Sequence, residues 1–535
     1  MGIISKVPIL RSPTAAARGG IAAVLNRTSQ DSPKNHAADT VRAGAGLSDV
    51  KAVNQLCQRI PEEINWLARR GLPFTHENNN IAQRPFAGHK KSSGKPAQRS
   101  CFAGDRTGQL LLHTLYDHCL NQPIKFYEET PAVQLIRYKE RIRGVIGWDI
   151  AAGEPLIFLA DNTLLATGGA GQLYEFTTNP LPSTGDGQAL AVEAGYPLKD
   201  PEFFQFHPTA LARSGILITG AARSAGGILR NKHQQRFMQQ YDPENLDTAE
   251  RDRISQAITS EIAAGRGDTA DNCVWLDLTG LSEKFIRQQL PEVYTTCRDY
   301  LKINPARQQI PVKPAAHYWM GGLPTNLAGQ VLNRQKQPVP GLWAAGETAC
   351  LSIHGANRLG TNSLAETLVM GKTSGEKMVG RTSHTELPTK DLENQLQTAL
   401  KKLCFSNTAT NKVDCWRQQL QTAFGKQMGI VREAEGLNGL LAEIDQLTRK
   451  VEKQKTDSLQ ADRRYRFDLI RLLELKNMLR LGRLAGRAAL ARQESRGSHY
   501  RADHPEQNDI RYQAHSIIGT AAQQNKIFYD RVKTE

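Results

Sequence analysis

Long apolar runs are missing from this chain of 535 residues: no window offers about 18 consecutive apolar residues, so the sequence predicts no membrane-spanning helix. Paired cysteines are missing too. Cysteines occur at 57, 101, 119, 273, 297, 350, 404 and 415 without one CxxC pair, which argues against zinc, iron–sulfur ligation or a disulfide framework within the chain. No metal site is expected. The first residues, MGIISKVPILRS, hold too short an apolar run for a secretory signal, which favours a reducing cytosolic or organelle-interior setting. Neither a finger spacing nor an aromatic-basic ribonucleoprotein motif occurs. The net charge of +15 therefore points to small anions or acidic partners rather than nucleic acid.

What is present is glycine-punctuated α/β sequence. GIIS near the start, VIGWDI, and LIFLADNTLLATGG read as strands, and LLLHTLYDHCL reads as a helix. ATGGAGQLYEFTTN followed by STGDGQALAVEAG reads as strand, glycine turn, and a helix beginning just after Asp186. From about 203 to 315 the sequence turns polar and mixed, with a helical pattern in RDRISQAITSEIAAGRG, as an inserted lid would. Glycine-rich α/β sequence returns after it. Residues 385 to 490 are helical in composition, with one leucine stripe ringed by arginines that serves packing; the tail after 495 reads as polar and irregular.

The richest stretch is AAGETACLSIHGANRLGTNSL, Ala344 to Leu364. Its glycines let backbone N–H groups approach a phosphate or ring, Glu347 can accept from hydroxyls, and Arg358 offers a planar fork that matches a carboxylate. His354 either orients this loop or touches a ligand. His113 and His118, on the LLLHTLYDHCL helix, read as structural.

Ten ordered strings together carry a resemblance: SKVPILRSPTAAARGGIAAVL, DRTGQLLLHTLYDH, LLATGGAGQLY, STGDG, FFQFHPTAL, AERDRIS, KPAAHYWMGGLPTN, GLWAAGE, HGANRLGTNSL and ESRGSHYRADHPEQND. From the first residues to about 515 the chain resembles the flavoprotein subunit of succinate dehydrogenase and fumarate reductase, whose near relative is L-aspartate oxidase. The resemblance implies an α/β fold: a Rossmann-like FAD-binding domain in two parts (1–202 and 316–382), an inserted α+β capping domain (203–315), and a helical C-terminal domain with its tail (383–535). It implies hydride transfer between flavin N5 and a C4-dicarboxylate, as in the tricarboxylic acid cycle. Electrons would pass to an iron–sulfur subunit of a membrane-associated complex, placing the chain in the cytoplasm, peripheral on the inner face of the cell membrane.

Carried over string by string, His207, Thr219, His317 and Arg358 fall where the family binds the two substrate carboxylates. Arg251 falls on the proton-transfer arginine, with Asp252 beside it a candidate for the same charge network. Ser5, Lys6, Gly19, Gly20, Asp186, Glu347, Ser363 and Leu364 match FAD contacts; Asp186 and Glu347 have helix capping as the plainer alternative. The ESRGSHYR string reads as packing or interface.

Three departures qualify the resemblance. The family's first strand and GxGxxG turn are absent, so a truncated gene or fragment is expected, along with a sheet lacking its middle strand. Pro13 stands in RSPT where the complex-forming members carry the histidine that attaches flavin, which implies noncovalent FAD and, within the family, a bias toward fumarate reduction or oxidase behaviour. LITGAARSAGG has Gly220 and Ser224–Ala225 where the pattern carries glutamates, LITEGARGEGG. Alternatives left open are L-aspartate oxidase and a non-catalytic degenerate or truncated paralogue.

Overall fold

A computed structural model of the chain describes residues 1–26, 30–381, 387–456, 463–519 and 527–532. The opening residues form the strand Gly2–Ile4, which pairs in parallel with Lys125–Tyr127. Thr163–Leu165 pairs in parallel with Pro338–Ala344, which carries Gln330–Leu332 on its other side. These are two separate sheets: among the described residues, Gly2–Ile4 and Thr163–Leu165 each have a ladder partner on one side only. Helices Pro33–Ala43, Val50–Arg69 and Asn362–Met378 pack on one another around Ile21, and Leu164 of the second sheet packs against their shared core. The middle one buries Val53, Leu56, Ile60, Ile64 and Leu67 completely, the three-and-four spacing of an amphipathic helix.

The inserted segment builds its own antiparallel sheet, in the order Phe204–Leu211, Ile310–Trp319, Val274–Asp277, Ile228–Arg230. The helix Arg251–Ala263 lies over it, and a separate core forms around Leu211, Ile218, Leu229, Ile254, Ile258 and Val312. The strand Ile310–Trp319 runs continuously across position 315/316, the limit expected between capping and FAD-binding segments. It thus physically joins the two.

Four helices follow, Thr389–Lys401, Asn407–Gln427, Ala434–Glu452 and Phe467–Ala491, the last burying Leu472, Leu475, Leu479 and Leu484 as its stripe demands. The tail departs from the irregular reading. Ala514–Ile518 pairs with both Leu198–Lys199 and Phe528–Arg531. Its buried positions mix apolar Ala514 and Ile518 with polar His515 and Ser516, so no hydrophobic alternation signals it: His515 Nδ1 lies 2.6 Å from Asp200 Oδ2, and Ser516 donates to Glu202 at 2.6 Å. The ESRGSHYR string is packing: Glu494, Arg496 and His499 are fully buried or nearly so, with Arg496 paired to Glu494 at 2.8 Å.

Candidate active site

Two β-bulges aim the histidines. Along the pairing of Phe204–Leu211 with Ile310–Trp319, Gln205 faces Tyr318 and Phe206 faces Ala316, so His317 is the extra residue, turned out of the ladder. A second shift follows directly, between His207 and Ala210, where Pro208 contributes no N–H. His207 and His317 consequently meet edge to face with ring centroids 5.1 Å apart. Thr209 N donates to His207 Nδ1 at 3.3 Å, and His317 Nδ1 lies 2.8 Å from Thr178 Oγ1, which leaves each ring its Nε2 for a ligand. Thr219 is buried beside them, its segment held by Ile218 N donating to Thr209 O at 2.9 Å.

Three arginines converge on these imidazoles. Arg358 stacks 4.2 Å above the Tyr318 ring and has a buried Nε without a partner. Tyr318 is fixed from below by Glu366, to which its hydroxyl donates at 2.9 Å, and His354 Nε2 meets the same carboxylate oxygen at 2.8 Å. His354 therefore orients the loop. Arg251 donates to Gln205 Oε1 at 2.8 Å, and Arg223 donates to Asp247 O at 2.8 Å while its buried Nε has no partner. Among the described residues no carboxylate hydrogen-bonds to any of the three. Burial, then the charges of Arg358 and Arg223, holds Arg251 well below its ordinary value. Burial and the Arg251 charge likewise keep His207 and His317 well below the usual histidine range. Acids reach these arginines only without hydrogen bonds, Glu347 and Glu366 near Arg358 and Asp247 near Arg223, so an anion entering the pocket lowers the cost of its buried positive charge.

Phe86 closes the far wall. Its ring lies 2.6 Å from where a Cβ on Gly360 would stand, 3.2 Å from one on Gly220 and 3.4 Å from one on Gly19, so Gly360 has no room for a side chain, Gly220 is tight and Gly19 lies in ordinary contact with the ring. Sequence reasoning passed over Phe86, Arg223, Gln205 and Asn357. Gln205, a polar residue in the otherwise apolar FFQF run, is the one with a readable signal, since a fully buried amide needs partners.

The expected cofactor residues fall into groups. Gly19 lies against Thr361 at the start of the helix Asn362–Met378 and Gly20 against Ser100 and Cys101; Ala22 N donates to Thr361 O at 3.1 Å, and Ser363 and Leu364 occupy the helix's first turn. Lys6 is 2.6 Å from Asp186 Oδ2, 2.6 Å from Glu474 Oε1 and 2.7 Å from Thr184 Oγ1. Asp186 is the first residue of its helix and also accepts from Asn477, so its carboxylate is spent on Lys6, Thr184 and Asn477. Ser5 donates its hydroxyl to Val7 O at 2.6 Å, facing its own loop. Gln188 donates to both Gly168 O and Glu347 O, which ties Glu347 to the glycine turn. Glu347 itself accepts from Trp319 N at 2.7 Å, and burial pushes it up to about 7.

These surroundings suit a flavin nucleotide. Gly168 has φ +74 and open space where a side chain would point, Ala166 and Thr167 are exposed in the middle of the fold's α/β layer, and a near-neutral Glu347 can exchange hydrogen bonds with hydroxyls. Pro13 opens the short turn Pro13–Ala16 and carries no nucleophile.

Residues 2–364 match the family model described as the FAD binding domain, which defines the class: an FAD-dependent flavoprotein. Residues 417–535 match a second model, the fumarate reductase flavoprotein C-terminal region. The chain is 36% identical over 530 residues to the succinate dehydrogenase flavoprotein subunit of Coxiella burnetii, covering 97% of this chain and 89% of the relative. It is 38% identical over 541 residues to the fumarate reductase flavoprotein subunit of Mycobacterium tuberculosis, covering 97% and 90%. A structure of E. coli quinol fumarate reductase superposes with a TM-score of 0.91 at 32% identity, covering 100% of this chain and 92% of that one. The chain belongs to the flavoprotein subunit family of succinate dehydrogenase and fumarate reductase, a family of oxidoreductases. These relatives favour neither L-aspartate oxidase nor a non-catalytic paralogue. Among the described residues, no helix is long and apolar enough to cross a membrane, and no metal-ligating cluster occurs.

Proposed function

We propose that this chain interconverts succinate and fumarate, and that its pocket is built for the dianion. The observation that carries the reading is the convergence of Arg358, Arg251 and Arg223 on two neutral imidazoles, with no carboxylate among the described residues hydrogen-bonded to any of the three. Arg358 grips one carboxylate with its fork, and His207, His317 and Thr219 donate to the pair of carboxylates, replacing the water each loses. Phe86 excludes solvent from that wall. Arg251 handles the proton at the alkene carbon, since a guanidinium held below its ordinary value releases a proton more readily.

The chemistry that FAD would supply, when bound, is hydride exchange at its N5. Gly19, Gly20, Ser363 and Leu364 would supply backbone amides to it, and Glu347 would accept from its hydroxyls, with Ser5, Lys6 and Asp186 shaping the neighbouring loop. The attachment is noncovalent because Pro13 offers no ring nitrogen, which biases the enzyme toward fumarate reduction. Electrons exchange with an iron–sulfur subunit, through which the chain sits peripherally at the inner face of the membrane. Purified protein should show flavin absorbance released by acid precipitation and fumarate-dependent oxidation of a reduced viologen dye. Protein loaded with FAD that leaves the dye reduced in the presence of fumarate contradicts the reading.

A further inference from the structure

Glu250 and Asp252 flank the proton-handling arginine in the chain, yet among the described residues no carboxylate hydrogen-bonds to its guanidinium. Gly220 offers no side chain, and Arg223 and Arg358 add only positive charge. Among the described residues its one side-chain hydrogen bond leads elsewhere. Arg251 Nη1 donates to Gln205 Oε1 at 2.8 Å, Gln205 Nε2 donates to Asn357 Oδ1 at 2.7 Å, and Asn357 Nδ2 donates to Asp252 Oδ1 at 3.0 Å. Every donor in this series points the same way, and the series ends on a carboxylate.

Chemistry at both ends fixes the direction. A guanidinium only donates, so Gln205 must turn its oxygen to Arg251. Gln205 Nε2 also donates to the carbonyl of Arg358 at 2.8 Å, which only accepts, so the opposite amide orientation would lose both bonds. Gln205 is fully buried and Asn357 is 2% exposed, so neither amide has water as a substitute partner. Aligned donors polarise one another, which carries part of the terminal negative charge back to Gln205 Oε1.

We infer that Gln205 and Asn357 are positioning residues that make the Asp252–Glu250 pair the counter-charge of Arg251, two amides removed, in place of an acid at position 220. This rests on the dicarboxylate reading of the pocket. Gln205 also holds both arginines in one frame, Arg251 by its side chain and Arg358 by its backbone, so the proton-handling group and the carboxylate grip keep a fixed separation.

The far end of the series titrates. Burial raises Asp252, and burial together with the Asp252 charge pushes Glu250 up to about 7. Arg253 faces Asp252, Arg42 and Lys90 face Glu250, and Asn357 touches both acids. Below about pH 7 Glu250 takes up a proton, the negative charge of the pair is reduced, and its pull on Asn357 and, through the two amides, on Arg251 weakens. Turnover should therefore fall as pH drops through that range.

The test uses full-length flavin-loaded protein with Asp252→Asn, Glu250→Gln and Gln205→Leu. Asp252→Asn should lower kcat for fumarate about a hundredfold while KM changes less than about threefold, the signature of an interaction used only in the chemical step. The acidic limb of the pH profile should flatten in Asp252→Asn and shift in Glu250→Gln, and Asp252→Glu should restore part of kcat. In crystals with malonate, Gln205→Leu should show the Arg251 guanidinium displaced from its wild-type place. Unchanged kcat and an unchanged acidic limb in Asp252→Asn, or an unmoved Arg251 in Gln205→Leu, would overturn the inference. Wild-type protein that binds no malonate and reduces no fumarate sinks the dicarboxylate reading instead, and the position of Arg251 in Gln205→Leu crystals still decides this one.

Discussion

His207 and His317 stand edge to face, 5.1 Å between ring centroids, and both are held neutral by burial and by the nearby Arg251 charge. Their neutrality lets each present an N–H donor without adding to an already cationic pocket. It also has a consequence for stability.

Neutral buried histidines make the fold acid-sensitive. His36 and His89 are pushed down to about 3 and about 4, chiefly by burial, and His207, His317 and His499 lie well below their ordinary value. The unfolded chain binds these protons near pH 6.5 while the folded one does not, so stability is complete above about 6.5 and is lost as pH falls below it. Each such histidine removes about 1.4 kcal/mol per pH unit in that window. Calorimetry at pH 7.5 and 5.5 should show a clearly lower Tm at the lower pH, and proton uptake on unfolding; an unchanged Tm would refute it.

Gly360→Ala tests the packing of Phe86. The new methyl would stand 2.6 Å from the ring, so a loss of about 1–3 kcal/mol is expected together with weaker malonate binding. Gly371→Ala, in the helix Asn362–Met378 with nothing within 4 Å, should instead gain about 0.5–1 kcal/mol. Urea midpoints of the two variants moving in the same direction would contradict this.

Lys6→Met removes the only cation that touches Asp186 among the described residues. Burial alone would lower Lys6, but Asp186 and Glu474 outweigh it and raise it, so the ammonium is held by both carboxylates. Breaking a buried pair on one side costs about 3–5 kcal/mol. Adding Asp186→Asn should recover part of that loss, and equal instability of the single and double variants, read from urea unfolding, would count against the network.

The sequence made some of this legible and hid the rest for physical reasons. The helix Arg251–Ala263 and the leucine stripe of Phe467–Ala491 are plain because periodic apolar residues mark a buried face. The strand Ala514–Ile518 was not, because it buries His515 and Ser516 through Asp200 and Glu202 rather than through apolar contact. At the site, His207, His317, Arg251 and Arg358 could be singled out by their strings, whereas the bulge that turns His317 outward exists only in the pairing of two distant strands. Phe86 was invisible for the same reason: its wall is made from glycines at 19, 220 and 360, which no local pattern joins. Asp186 matched a cofactor string, yet its carboxylate is occupied by Lys6, Thr184 and Asn477, a partnership spanning the N- and C-terminal halves of the chain.

Arg358→Gln should weaken malonate about a hundredfold, because a charged fork on a carboxylate is replaced by a neutral amide. Arg213→Gln, whose side chain is 79% exposed and paired with Asp271 at the surface, should leave malonate affinity as it was. Equal effects of the two, measured by isothermal titration, would point to general charge rather than to a site.

The most direct measurement is a crystal structure of the full chain grown with malonate. Density for the diacid within hydrogen-bond reach of Arg358, His207 and His317, under the Phe86 ring, is the result this account predicts. Malonate bound elsewhere, with those three side chains turned to other protein partners, would contradict it.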